Sequence, residues 1–317
     1  MNSLDRINYN FAPGLWVVTA YYNPVGYETR RYNYQKFAAA LRRSGIPLLT
    51  VECAFGDQPF DLPESLDVFK VRGESMLWQK ERLLNLAIPW LPASCEAVAW
   101  VDCDILFTDP NWAREVMDKL QTYTVLQLFE TCNRLPQDLS TDKRDIATSF
   151  SSLVGKDRSL LRTGQYHDHG HPGYAWAMRR SLMEKHGLYE YAIAGSADHY
   201  MAHAAVNDAL SPCIDRMMFS NESQLRCFKE WAEPFADDAQ GKLGTVSGEI
   251  LHLWHGELKD RRYYLRQQEL ARYNFNPRTD LIASPGKPLE LRYDKSGMSE
   301  WLGGYFSSRK EDGVQTA

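Results

Sequence analysis

In this 317-residue sequence, Asp102-Cys103-Asp104 is the tripeptide whose residue types and spacing point most directly to chemistry. It follows Ala97-Val98-Ala99-Trp100-Val101, an uninterrupted apolar run of the kind that forms a strand buried on both faces of a parallel sheet. On an extended chain, side chains at i and i+2 point the same way, so both carboxylates can face one ligand. Paired carboxylates hold a divalent cation and leave coordination positions open for phosphate oxygens. The C-terminal end of a central strand is also where open α/β sheets bind ligands. The competing reading is a solvated turn ahead of Asp109-Pro110, and the buried strand before the tripeptide weighs against it.

Histidine supplies the second signal. All eight histidines fall between residues 167 and 255. His252-Leu253-Trp254-His255-Gly256 follows Ile250-Leu251, which places at least one imidazole at a strand end, able to complete a cation site begun by Asp102 and Asp104. For most of the eight, an ordinary surface or hydrogen-bonded role is the simpler reading. Asp198, just past Gly195-Ser196, opens a helical stretch. A carboxylate there is either a helix cap or a general base for an acceptor hydroxyl.

These groups need a scaffold, and the first half of the chain supplies one. Leu15–Ala20 reads as a strand, stopped by Asn23-Pro24 and Gly26. Tyr27, Tyr34, Phe37, Ala38 and Leu41 then fall on one helical face, and Ser44-Gly45 ends the helix. Further strands fit 47–52, 67–71 and 97–101, and a helix capped by Ser75 runs to Ile88 before Pro89. Helix 112–120 and strand 124–129 follow. This alternation predicts an α/β fold with a mostly parallel open sheet flanked by helices. Residues 131–172 are polar and aperiodic, as in an active-site lid or a partly helical segment. Helical signals return at 180–186 and 197–209. With no repeat or linker, one elaborated domain over 1–285 is expected. Residues 286–317 would be an extension whose end, from Gly303-Gly304 to Ala317, frays.

Composition narrows the function classes. Lys and Arg total 36 against 41 Asp and Glu, a net charge of −5, which argues against a surface coated in basic charge for nucleic acid. Hydrophobic residues make up 44%, so disorder and fibrous folds do not fit. The aromatic set of 9 Trp, 17 Tyr and 13 Phe suits a protein that handles bases and sugar rings, though any single ring is as readily a core filler. The best apolar run, Leu15–Tyr22, is far short of the ~20 residues that span a bilayer. The first six residues lack a leader pattern. Six cysteines without a C-x-x-C pair fit a cytoplasmic protein with reduced thiols.

Taken in order, strand Leu15–Ala20, Asp102-Cys103-Asp104, His171-Pro172-Gly173-Tyr174-Ala175-Trp176-Ala177-Met178-Arg179, Gly195-Ser196-Ala197-Asp198 and His252–Gly256 with Lys259 resemble glycosyltransferases of the GT-A fold class. The likeness spans roughly residues 15–265. It implies metal-dependent transfer of a sugar from a nucleotide-sugar, commonly a UDP-sugar, to an acceptor hydroxyl. Asp102 and Asp104 would match the family's cation-holding D-x-D, with Mn2+ or Mg2+ as the ion. One of His252 and His255 would match its C-terminal histidine ligand. Thr19, Tyr21 and Asn23 would meet the nucleoside. Gln79, Lys80, Arg82 and Lys259 would contact the donor, and Trp176 would be a stacking platform in the sugar pocket. Asp198 would match the second carboxylate of the Glu-Asp pair that serves as the catalytic base in inverting members, with Ala197 standing where the Glu would be.

Two other readings remain open. One is a metal-dependent hydrolase built on His167, His169 and His171 with Asp198, His199 and His203. The other is a non-catalytic nucleotide-sugar binding protein. The acceptor is also open. A glycan is one candidate. A hydroxymethylated base in phage DNA is another, given Arg30-Arg31, Arg42-Arg43, Arg179-Arg180 and Arg261-Arg262.

Overall fold

A computed structural model describes residues 12–142, 144–293, 295 and 297–313. The first six residues, read above for a leader, lie outside them. The strands are β1 (Leu15–Tyr22), β2 (Leu48–Phe55), β3 (Val68–Gly73), β4 (Ala97–Val101), β5 (Ile105–Phe107), β6 (Val125–Gln127), β7 (Thr131–Arg134), β8 (Ile146–Thr148), β9 (Ala175–Arg179), β10 (Leu243–Thr245), β11 (Glu249–His252), β12 (Leu281–Ala283) and β13 (Leu289–Leu291). The helices are α1 (Glu28–Arg43), α2 (Lys80–Ala87), α3 (Trp112–Lys119), α4 (Phe150–Lys156), α5 (Arg180–His186), α6 (Ala197–Ala205), α7 (Pro212–Met217), α8 (Glu222–Ala239), α9 (Tyr263–Arg272), α10 (Pro277–Asp280) and α11 (Met298–Ser308).

The central sheet runs β10-β6-β9-β4-β1-β2-β3. β9 alone opposes the others in direction. This is the mixed α/β class with a mostly parallel central sheet that the alternation predicted. β1 alternates between two cores. Val17 and Tyr21 join the core beneath α1 and α3, whereas Val18, Ala20 and Tyr22 join the one beneath α2, α5, α6 and α8. Burial on both faces explains why β1 and β4 read as continuous apolar runs. The chain leaves β1 toward β2 on one side, and β4 lies on the other. The crevice beyond their C-terminal ends is therefore the switch point at which such sheets bind ligands.

A second sheet, β5-β11-β7-β8, rests at that end. β5 emerges from the turn after β4 and pairs antiparallel with β11, setting Ile105 opposite His252. That register carries His252 to Asp104. Residues 131–172 are partly helical, with β7, β8, α4 and 3-10 turns at Arg158–Thr163 and Tyr166–His169.

Three expectations need correction. α2 starts at Lys80 rather than after a Ser75 cap. The Ser75 hydroxyl instead accepts the Leu291 N–H (2.9 Å), and the Gln79 amide bonds both backbone groups of Leu289, so residues 75–79 clamp the β12–β13 hairpin. The boundary expected at 285/286 falls inside that hairpin. The supposed frayed tail is, through residue 313, an ordered strap. Leu302, Tyr305 and Phe306 of α11 are buried, and Arg309 and Glu311 are 2% and 1% exposed. Gly303-Gly304 reads as a breaker, but in α11 these residues lie between apolar side chains whose burial outweighs the helix cost of glycine, about 1 kcal/mol each. Residues 314–317 lie outside the described set.

Candidate active site

The crevice holds a cavity of about 570 Å3 lined by the ends of β1 and β4, the loop before β9, the start of α6, the end of β11 and the C-terminal strap. A larger hollow of about 910 Å3 lies beside α1 and β2. Of its charged residues Arg31, Arg42, Asp61 and Asp67, Arg31 and Asp61 already pair with each other at 2.9 Å, and it holds none of the histidines that line the smaller cavity.

The chain turns after Val101, so the i, i+2 geometry of a strand does not continue through Asp104. Both carboxylates still line the cavity, but they face different partners. Asp102 Oδ1 meets Lys80 Nζ at 3.2 Å. Asp104 Oδ2 meets His255 Nε2 at 3.0 Å, and its Oδ1 lies 3.8 Å from His252 Nε2. The two Nε2 atoms are 3.0 Å apart. One donor atom from each of Asp104, His252 and His255 falls within a single 4.8 Å cluster. Both imidazoles, not one, therefore face Asp104.

Burial lowers the pKa of His252 well below its usual value and takes His255 to about 3, with nearby Arg261 adding to the effect on His255. Burial, with the charge of Asp102, lifts Asp104 to about 7. Asp104 Oδ1 is buried without a hydrogen-bond partner. Two neutral imidazoles facing each other and one unsatisfied carboxylate oxygen fit a divalent cation, and the N2O set suits Mn2+ better than Mg2+.

Across the cavity, Asp198 Oδ2 meets Lys80 Nζ at 2.5 Å, while its Oδ1 is buried and unpartnered. Burial raises the Asp198 pKa against the opposing pull of Lys80. Lys80 is itself disfavoured by burial, but Asp102, Asp198 and Glu81 keep it charged, well above its usual value. Ser196, at φ 81°, caps α6 in the left-handed region, and Gln267 Nε2 bonds Ala194 O, Gly195 O and Ser196 Oγ. This loop fixes Asp198. On the near wall Tyr174, also left-handed at φ 82°, accepts the Asp102 N–H and stacks on His171 with ring centroids 3.9 Å apart. A non-glycine residue held in that region is strain localised at the site.

Several expected donor contacts lie elsewhere. Trp176 is 3% exposed in β9, paired across from Trp100 and stacked on it at 6.4 Å. It is core, and its indole N–H is spent on Pro172 O. Tyr21 and Asn23 bond Asp61 on the α1 side, and Asn23 also holds the turn at Tyr27. Thr19 lines the cavity, but its hydroxyl donates to Val101 O at 2.7 Å. Gln79 clamps the hairpin. Arg82 bonds Lys287 O, Ser284 O and Glu190. Lys259 is exposed and does not line the cavity.

The cations that do line it are Lys80, Arg30, Arg134, Arg261, Arg266 and Arg309. Of these the sequence reading assigned only Lys80 to the donor. Arg261, two residues past Lys259, is 5% exposed and bonds His255 O. Arg309 and Arg30 share the carboxylate of Glu311. Arg266 and Arg309 both donate to Tyr305 Oη. The sequence signal that survives is Arg261-Arg262, closely following His252–Gly256.

The hydrolase cluster does not form as drawn. His167, exposed, and His171 line the main cavity, whereas His169 is buried against His203 outside it. All six cysteines are buried and outside disulfides, and no helix among the described residues is long and apolar enough to cross a membrane.

No family model matches the sequence, and no curated protein matches it. Solved structures align weakly. One is the catalytic domain of a Drosophila beta1,4galactosyltransferase 7 in complex with xylobiose (11% identity, 91% of this chain, 98% of that one, TM-score 0.40). Another is glucosyl-3-phosphoglycerate synthase from Mycobacterium tuberculosis with Mg2+ and uridine diphosphate (10% identity, 88% and 87% covered, TM-score 0.38). A third is a 4-diphosphocytidyl-2C-methyl-D-erythritol synthase from Anaerococcus prevotii (11% identity, 74% and 90% covered, TM-score 0.35). At these scores the likenesses carry no argument about the site or its chemistry.

Proposed function

We propose that the chain is a metal-dependent glycosyltransferase of the GT-A class, moving a sugar from a nucleotide-sugar, a UDP-sugar by the resemblance, to an acceptor hydroxyl. One observation carries the reading: Asp104, His252 and His255 converge at the switch point of the sheet and share one cavity with Asp198, which Lys80 links to Asp102. Asp104, His252 and His255 would hold the cation, with Asp102 beside them. When bound, the ion supplies positive charge to the departing diphosphate.

The protein's own groups account for the rest. Lys80, Arg261, Arg266 and Arg309 line the cavity and would place positive charge where negative charge grows on the leaving group. Asp198 Oδ1 is free to accept the proton of the acceptor hydroxyl. As that oxygen bonds to the anomeric carbon, the bond from this carbon to the diphosphate breaks. The sugar's configuration then inverts. Lys80, paired with both Asp102 and Asp198, ties the donor side of the site to the acceptor side.

For the acceptor, a glycan hydroxyl fits better than DNA. Of the four arginine pairs, Arg30, Arg31 and Arg180 are bound to carboxylates and Arg261 lies in the cavity. A panel of nucleotide-sugars with Mn2+, crossed with glycans and hydroxymethylated DNA and read by mass spectrometry, tests the reading. Sugar-bearing acceptor with released nucleoside diphosphate supports it. Binding without turnover, or hydrolysis without an acceptor dependence, overturns it.

A further inference from the structure

A second cluster of metal-binding side chains lies beside the cavity and takes no part in the reaction above. His169 closes the 3-10 turn Tyr166–His169, His199 and His203 lie one turn apart on α6, and Cys213 sits in the first turn of α7. His169 and His203 have no exposed surface, and Cys213 and His199 are 1% and 4% exposed. His169 Nδ1 lies 3.2 Å from His203 Nε2, and His199 Nε2 lies 3.0 Å from Cys213 Sγ. Donor atoms of His169, His203 and Cys213 all fall within 4.8 Å of one another.

The outer nitrogens are held as well. His203 Nδ1 is 2.8 Å from Asp208 Oδ2, and His169 Nε2 is 3.2 Å from Thr163 Oγ1. Metal-ligating imidazoles are oriented in this way, one nitrogen turned to the ion and the other N–H given to a carboxylate or another oxygen. A hydrogen-bonded relay from Thr163 through His169 and His203 to Asp208 would account for two histidines. It leaves unexplained why the Cys213 thiol shares the donor cluster of these two histidines, and why a third imidazole, His199, lies against its sulfur.

We propose that this cluster is a structural zinc site, with His169 Nδ1, His203 Nε2 and the Cys213 thiolate as ligands and His199 completing a closed four-coordinate set. Nitrogen and sulfur donors without an open position are the pattern of zinc that stabilises rather than catalyses. Binding releases the Cys213 thiol proton to solvent. The ion would staple three segments together. It would also stiffen two cavity walls, since His171 follows His169 by two residues and Asp198 immediately precedes His199. The assignment does not depend on the sugar-transfer reading.

The test uses full-length protein expressed with zinc and freed of loose metal by gel filtration. Elemental analysis should find zinc at one ion per chain, retained in Asp104→Asn and lost in Cys213→Ser. Replacing zinc with Co2+ in the wild type should give a thiolate-to-cobalt charge-transfer band that Asp104→Asn preserves. That spectrum decides the matter if Cys213→Ser does not fold. Full zinc content in folded Cys213→Ser, wild-type protein that takes up no zinc, or a cobalt spectrum without the thiolate band would overturn the assignment.

Discussion

Replacing Glu311 by glutamine removes the one negative charge shared by the guanidiniums of Arg30, on α1, and Arg309, on the C-terminal strap. Glu311 is 1% exposed and pairs in bidentate fashion with Arg30, both contacts 3.0 Å, and with Arg309 Nε at 2.5 Å. Gly256, at φ 89°, admits the strap: a Cβ there would stand 2.7 Å from Arg309 O. Removing one partner of a buried pair costs about 3–5 kcal/mol, because the other charge stays buried and uncompensated. That is a large share of a domain's stability of about 5–15 kcal/mol. At about 2–4 °C per kcal/mol for a chain of this size, Tm should fall by roughly 6–20 °C.

The pH dependence has a definite sign. Burial works to raise the Glu311 pKa, but Arg30 and Arg309 outweigh it and hold it well below the usual range. The stabilisation is therefore complete above the unfolded pKa of about 4.3 and is lost as pH falls toward the folded value. Calorimetry of wild type and Glu311→Gln at about pH 7 should show the full gap, narrowing only below about pH 4. A second readout is the double variant Arg30→Met/Glu311→Gln, which should lose less than the sum of the single losses. A Tm within ~2 °C of wild type near neutrality would refute the reasoning that the strap is held by this charge cluster.

Asp198→Asn should keep donor binding and Tm while acceptor-dependent turnover falls by ~10²–10⁴, since the amide cannot take the hydroxyl proton; near-normal turnover would leave Asp198 as a helix-start residue. Lys259→Ala should leave donor affinity and Tm within experimental scatter, about ±0.5 kcal/mol, whereas Arg261→Met should weaken donor binding measured by calorimetric titration. Equal effects of the two substitutions would reverse that assignment. Trp176→Phe, a core change, should lower Tm by an amount matching about 1–3 kcal/mol while leaving the donor KM unchanged. A KM rise without a stability loss would return Trp176 to the sugar pocket.

What the sequence revealed and what it hid follow from the range of the interactions. β4 and α5 match their predicted bounds, and β1, β2 and α1 shift only at their ends, because apolar runs and one-sided periodicity are local signals. That Asp102 and Asp104 stand at the end of a buried strand, where they line the crevice, was legible for the same reason. Helix α8 went unanticipated: Pro234 interrupts its interior, although the Asn221 cap, whose side chain accepts the Gln224 N–H, marks its start. Side-chain direction was not legible. Tyr21 belongs to the α1 face and Tyr22 to the cavity, and a strand without a polar face gives no pattern that says which is which. Trp176 shows the same ambiguity, since a tryptophan among small residues packs a core as readily as a pocket. The cation ring is the hardest case. Arg134, Arg261, Arg266 and Arg309 come from four elements, and the last depends on the strap folding back over the site.

Calorimetric titration of a nucleotide-sugar, with and without Mn2+, into wild type and Asp104→Asn tests the central claim most directly. Wild type should bind at least ~10-fold more tightly with the ion present, equivalent to about 1.4 kcal/mol, whereas Asp104→Asn should bind weakly and ignore Mn2+. Equal affinity with and without the ion in the wild type, or a Mn2+ response undiminished in Asp104→Asn, would contradict the account that Asp104, His252 and His255 hold the cation on the donor.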